Sequence, residues 1–83
     1  MNIQELKNKI DDYVKNGSIV FGISIHGVGF ELRIRDINIE EIIGNQYFIC
    51  GKRVNKETYT KLNDYMHDIY VKQGKQSKDR GLY

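Results

Sequence analysis

The sequence predicts an α+β fold: a three-stranded antiparallel sheet with two helices on one face, in the order α-β-β-(short α)-β-α. Two observations carry this. Apolar residues recur at spacings of three and four near both ends of the chain, and at a spacing of two between them. Two helices with apolar stripes and one small sheet hide those stripes most economically when both helices seat on the same side.

The first helix is set by Ile3, Leu6, Ile10, Tyr13 and Val14, which share one helical stripe. Asn2 is its N-cap, Glu5 completes a capping box, and Asn16-Gly17 supplies a left-handed stop. From Ser18 the period changes to two. Ile19, Phe21, Ile23 and Ile25 alternate with Val20, Gly22, Ser24 and His26, which is the pattern of a strand. The turn His26-Gly27-Val28-Gly29 leads into a second strand, with Phe30, Leu32 and Ile34 inward and Glu31, Arg33 and Arg35 outward.

Residues 36–45 carry conflicting signals. Ile37 and Ile39 continue a strand, whereas Asn38-x-x-Glu41 before Ile42-Ile43-Gly44 resembles a capped turn, and a short helix or turn at 39–43 is favoured. A third strand is expected over 46–50. Asn55 then caps a second helix with the stripe Tyr59, Leu62, Met66, Ile69 and Tyr70, ended by Gly74, with Val54 and Tyr59 as a hydrophobic staple. Residues 1–74 are thus expected to form one domain, and residues 75–83 a flexible basic tail without periodicity.

Composition narrows the class of function. Eighty-three residues are too few for two self-sufficient cores, and 40% apolar residues with twelve isoleucines suffice for one. No apolar run approaches the roughly 18–20 residues that cross a bilayer, and the N-terminus has no apolar signal region, so a cytoplasmic protein with no membrane partner is expected. Cys50 is the one cysteine and agrees with a reducing compartment. The absence of Ala and Pro, with Ile, Asn, Lys and Tyr filling 34 of 83 positions, points to an AT-rich genome of the kind found in low-GC Gram-positive bacteria and their phages.

The net charge of +2 is unevenly spread: residues 1–51 carry five basic and seven acidic residues, a net of −2, and residues 52–83 carry eight and four, a net of +4. An anionic partner would meet the second half.

No catalytic or metal-binding set converges, and neither an enzyme nor a cofactor is expected. Cys50 in a Tyr-Phe-Ile-Cys strand reads as a small core residue in preference to a nucleophile served by His26 or His67. Asp64, His67 and Asp68 share a helical face, but without partners elsewhere they read as a solvated surface. Gly27-x-Gly29 joins two strands and lacks the helix N-terminus a phosphate loop needs.

What remains is binding. Lys52, Arg53 and Lys56 surround the start of the second helix, either as an anion site or as a solvated basic loop. Arg33 and Arg35, with Glu31, Ser24, His26 and Tyr47, are expected on the open sheet face. Of the six tyrosines, Tyr13, Tyr59 and Tyr70 belong to helical stripes, while Tyr65 and Tyr83 are the interface candidates. The expected partner is a protein, met through Arg33, Arg35, Lys52, Arg53, Lys56 and Tyr65. The alternative is a small nucleic-acid-binding or regulatory module using the basic loop and tail.

In size, AT-rich composition and element order over residues 1–73, from Met1-Asn2-Ile3 through the strands to the second helix, the chain resembles small phage-encoded inhibitors of bacterial defence, some anti-CRISPR proteins among them. The resemblance implies an inhibitor that blocks a host defence protein such as a CRISPR effector. Members of that group often mimic DNA with an acidic surface. This chain departs from that pattern with its basic second half, which leaves obstruction of a protein surface or a guide-RNA groove.

Overall fold

A computed structural model describes residues 2–79, which form an α+β fold with two helices and a twisted sheet. Helix α1 spans Ile3–Lys15 and α2 spans Lys56–Lys72. Their caps follow the sequence: the Glu5 backbone N–H donates to Asn2 Oδ1 (3.2 Å) and the Thr58 N–H donates to Asn55 Oδ1 (2.8 Å). Both helices close alike. The N–H two residues past the cap reaches back over the last turn, Ser18 to the Tyr13 carbonyl (2.8 Å) and Lys75 to the Tyr70 carbonyl (2.9 Å), with Gly17 and Gly74 in the left-handed region between them.

The antiparallel part of the sheet has five strands in place of the expected three: β1 Phe21–Ile25, β2 Gly29–Ile34, β3 Ile37–Ile42, β4 Gln46–Ile49 and β5 Lys52–Val54. They run as a meander, each strand paired with the next. A sixth strand, β6 Gln76–Asp79, adds to the free edge of β1 in parallel, giving the order β5-β4-β3-β2-β1-β6.

Three expectations are corrected here. Residues 39–43 are not a helical turn. Ile37 and Ile39 point into the core while Asn38 and Glu40 point away, so the period of two that began at Phe30 simply continues after the two-residue turn Arg35-Asp36. A second two-residue turn, Cys50-Gly51, sends the chain back as β5 before α2 begins. Residues 76–79, expected within the tail that starts at 75, form β6; residues 80–83 lie outside the described part.

The core lies between the helices and one side of the sheet. Ile10, Val20, Leu32, Ile34, Ile37, Ile39, Tyr47, Ile49, Tyr59, Leu62, Met66 and Tyr70 form one buried cluster, and Ile3, Leu6, Tyr13, Val14, Val54, Tyr65 and Ile69 pack against it. Both predicted helical stripes therefore seat as expected. Helix α2 crosses the sheet from β4, where Tyr59 meets Tyr47 at 4.9 Å between ring centroids, to β1, where Tyr70 lies on Gly22. A Cβ at Gly22 would stand 2.7 Å from the Tyr70 hydroxyl oxygen, so this close approach requires glycine.

That contact also fixes which side of β1 faces the helices. Val20 and Gly22 point inward, and the bulkier set Phe21, Ile23 and Ile25 points to the other side, the reverse of what apolar content suggests. Ile23 and Ile25 are nevertheless buried, and they stand apart from the main cluster. Among the described residues no helix is long and apolar enough to cross a membrane.

Candidate functional site

Strand register assigns every side chain of the meander to one face. On the face away from the helices, Ile23, Glu31, Glu40, Phe48 and Arg53 occupy one row across β1 to β5. A second row holds Phe21, Arg33 and Asn38, and a third holds Ile25, Gly29, Ile42 and Gln46. The middle row sets two carboxylates opposite each other. Like charges at paired positions repel, and Arg33 offsets this by donating from Nε (2.9 Å) and Nη2 (2.8 Å) to Oε2 of the fully buried Glu31. Asn38 Nδ2 donates to Glu40 Oε1 (3.2 Å). The result is a preformed polar centre flanked by apolar side chains.

The six expected contact residues are dispersed. Arg33 and Arg53 both belong to the outer face, but β2 and β5 are three strand spacings apart, roughly 14 Å. Lys52 pairs with Ile49 and so shares the helix-covered side, at the sheet margin. Lys56 opens α2, and with Arg53 it lines a cleft of about 460 Å³ completed by Asn45, Tyr47, Val54 and Asn55.

Arg35 is the first residue of the β2–β3 turn, with a left-handed φ of 51°. Its guanidinium lies over the Tyr13 ring, 5.5 Å from the centroid. Tyr65 is an inter-helix tie: its hydroxyl donates to Asp11 of α1 and Lys7 sits 5.1 Å above its ring. The bond to Asp11 holds the Tyr65 hydroxyl well above its ordinary range, to about 12. Of the residues expected on the open face, only Arg33 and Glu31 lie there: Arg35 and His26 are in turns, and two more are elsewhere. Ser24 faces the helix side, and Tyr47 is buried in the core against Tyr59, whose own hydroxyl burial pushes strongly upward.

Cys50 is not a core residue. It is exposed, in the β4–β5 turn, with φ 51°. His26 occupies the β1–β2 turn at the opposite end of the strands, and His67 stacks near Tyr70, over β1, three strands from β4. Neither imidazole is placed to serve the thiol. Among the described residues no group of three His, Cys, Asp or Glu side chains is placed to hold a metal ion.

Sequence reading missed Glu40 as an outer-face residue because its position depends on β3 being a strand, and missed Phe48 because Tyr47, its neighbour in the expected strand 46–50, was placed on the open face instead. The signal for Glu40 was present in the alternation of Ile37 and Ile39 with Asn38 and Glu40. No protein family, no curated protein and no solved structure shows a significant match to this chain.

Proposed function

We propose that the protein is a non-enzymatic binding protein, acting as an inhibitor that obstructs a host defence protein such as a CRISPR effector. The observation that carries the binding reading is the placement of both helices on one side of the sheet. The other side carries a mixed surface: Arg33 is paired with the buried Glu31, and Glu40, Phe48 and Arg53 follow along the same row toward the β5 margin. Such a face supplies aromatic and arginine side chains of the kind that anchor protein contacts. A contact of about 800 Å² per partner is of a size this domain can offer. The inhibitor role draws its support from the chain's size, composition and element order.

The test is affinity capture from a low-GC bacterial host, followed by titration of the purified captured protein. Wild type and a helix-surface variant, Lys61→Glu, are expected to bind with fixed stoichiometry. A Phe48→Asp/Arg53→Glu double variant that stays folded should lose at least tenfold in affinity. A face-independent interaction, or none, refutes the reading.

A nucleic-acid module is the second reading, favoured by one observation: Lys52, Arg53 and Lys56 carry no ion pair among the described residues and flank the N-terminus of α2. It requires binding that weakens steeply with salt and falls on charge reversal at Arg53 and Lys56.

A further inference from the structure

The β2–β3 turn places a positively charged groove at one corner of the outer face. Asp36, the second turn residue, is engaged by α1: the Tyr13 hydroxyl donates to Oδ1 (2.6 Å) and Lys9 Nζ to Oδ2 (3.4 Å). These contacts depress the Asp36 carboxyl below its usual range and raise Lys9. Asp36 is therefore occupied by partners other than its neighbour Arg35. The Arg35 guanidinium rests on the Tyr13 ring instead, and no carboxylate pairs with it among the described residues. Exposed and without a carboxylate partner, the guanidinium keeps N–H donors available for a bidentate pair with a carboxylate.

Arg35 also stands where the turn would suit glycine or asparagine, since its φ of 51° is disfavoured for a long side chain. Beside it, Arg33 has committed Nε and Nη2 to Glu31, while its side chain is 46% exposed. The two arginines line a groove of about 480 Å³ with Gly17, Ser18, Ile19 and Phe21. A neighbouring depression brings Asn16 and Tyr13 to the same Arg35. One wall is cationic; the other is apolar, with Ile19 37% exposed.

We propose that this groove docks an extended segment of the partner protein that alternates carboxylate and apolar side chains, with Arg35 as the principal anchor and Arg33 as the second. The proposal rests on the binding-protein reading and names its contact. The mixed lining selects a protein segment over a nucleic acid. A sugar–phosphate chain has no side chain for Ile19 and Phe21 to bury, and base stacking needs open aromatic faces, whereas Phe21 is half-buried and the Tyr13 face is already covered by Arg35.

The test uses the full chain and a fluorescein-labelled peptide of alternating Glu and Leu, with its Gln/Leu counterpart as control, read by fluorescence anisotropy. Saturable binding with at least a tenfold preference for the Glu peptide is expected. Arg35→Asn should weaken it roughly tenfold, Arg33→Gln by a smaller factor, and Lys61→Gln on the α2 surface not at all. Asparagine suits the left-handed turn, so Arg35→Asn preserves the fold, as circular dichroism and melting temperature will verify. Equal binding of both peptides, no binding, or undiminished binding by Arg35→Asn overturns the assignment. Arg35-dependent displacement of the peptide by a single-stranded oligonucleotide at lower concentration overturns it in favour of nucleic acid. If the peptide fails while the captured partner still depends on Phe48 and Arg53, this groove alone is refuted; if neither interaction exists, the binding reading falls with it.

Discussion

Cys50 shows how backbone conformation overrides the usual meaning of a side chain. In sequence it ends an apolar run and resembles core; in the fold it is the first residue of a two-residue hairpin turn, with φ 51° followed by Gly51 at 82°. Two successive positive φ values are what a type I′ turn demands, and Asn-Gly is the pair that meets the demand best. Cys50→Asn should therefore stabilise the protein by about 0.5 kcal/mol, by relieving the strain on a side chain forced into the left-handed region. A urea titration with an unchanged m-value and a higher midpoint is the expected result. A destabilised variant would mean that the thiol is packed after all. Arg35, in the same backbone region, differs in that its side chain is used: it covers the Tyr13 ring that holds Asp36.

At the scale of elements, the helices were legible because each carries two independent signals, a stripe and a cap, that agree. The sheet was legible only in part. β3 was obscured because Asn38 and Glu41 stand at capping-box spacing, a signal that also arises where two polar residues happen to face opposite sides of a strand. β5 is three residues of Lys-Arg-Val, too short to show a period, and β6 is Gln-Ser-Lys-Asp, with no apolar alternation to mark it. The outer face inherited these gaps: Arg33 was placed correctly, Glu40 could not be, and Phe48 was hidden by taking Tyr47 as the outward residue of its strand. The tie of Tyr65 to Asp11 was not visible in sequence for a related reason, since the two residues lie in different helices at no recognisable spacing.

That pairing has a pH signature. The Tyr65 hydroxyl is raised to about 12, above the value near 10 of an unfolded tyrosine. A group whose folded value is raised adds stability that is complete below the unfolded value. The contribution is lost as pH climbs from about 10 to about 12, because the unfolded state ionises first. Denaturation midpoints should thus fall across that interval by more in wild type than in Tyr65→Phe, which lacks the ionisable hydroxyl. Parallel pH profiles for the two proteins would show that the bond to Asp11 does not form in solution.

Across the whole molecule, the division of labour is between one side of the sheet that builds the core and another that carries charge, aromatic rings and the Arg33–Arg35 corner. The halves of the chain contribute unequally. Arg33 and Arg35 come from the first half, net −2 by sequence, and the outer-face carboxylates Glu31 and Glu40 come from it as well. The basic second half supplies Arg53 at the far margin and two lysines that do not share its face. Half-by-half charge was thus a poor guide to which surface is cationic, because the meander interleaves acidic and basic residues on one plane.

The parallel pairing of β6 with β1 bears on the order in which the fold assembles. Each strand of the meander finds its neighbour across a short turn, whereas Phe21 and Gln76 must meet across 55 positions of chain. Loop closure disfavours so distant a meeting until the intervening part is compact, so this strand is added last in folding and detaches first on opening. Native-state hydrogen exchange should accordingly show the β6 amides opening at a lower free energy than those shared by β2 and β3. The free edge of β1 would then be transiently available before the rest of the sheet loosens.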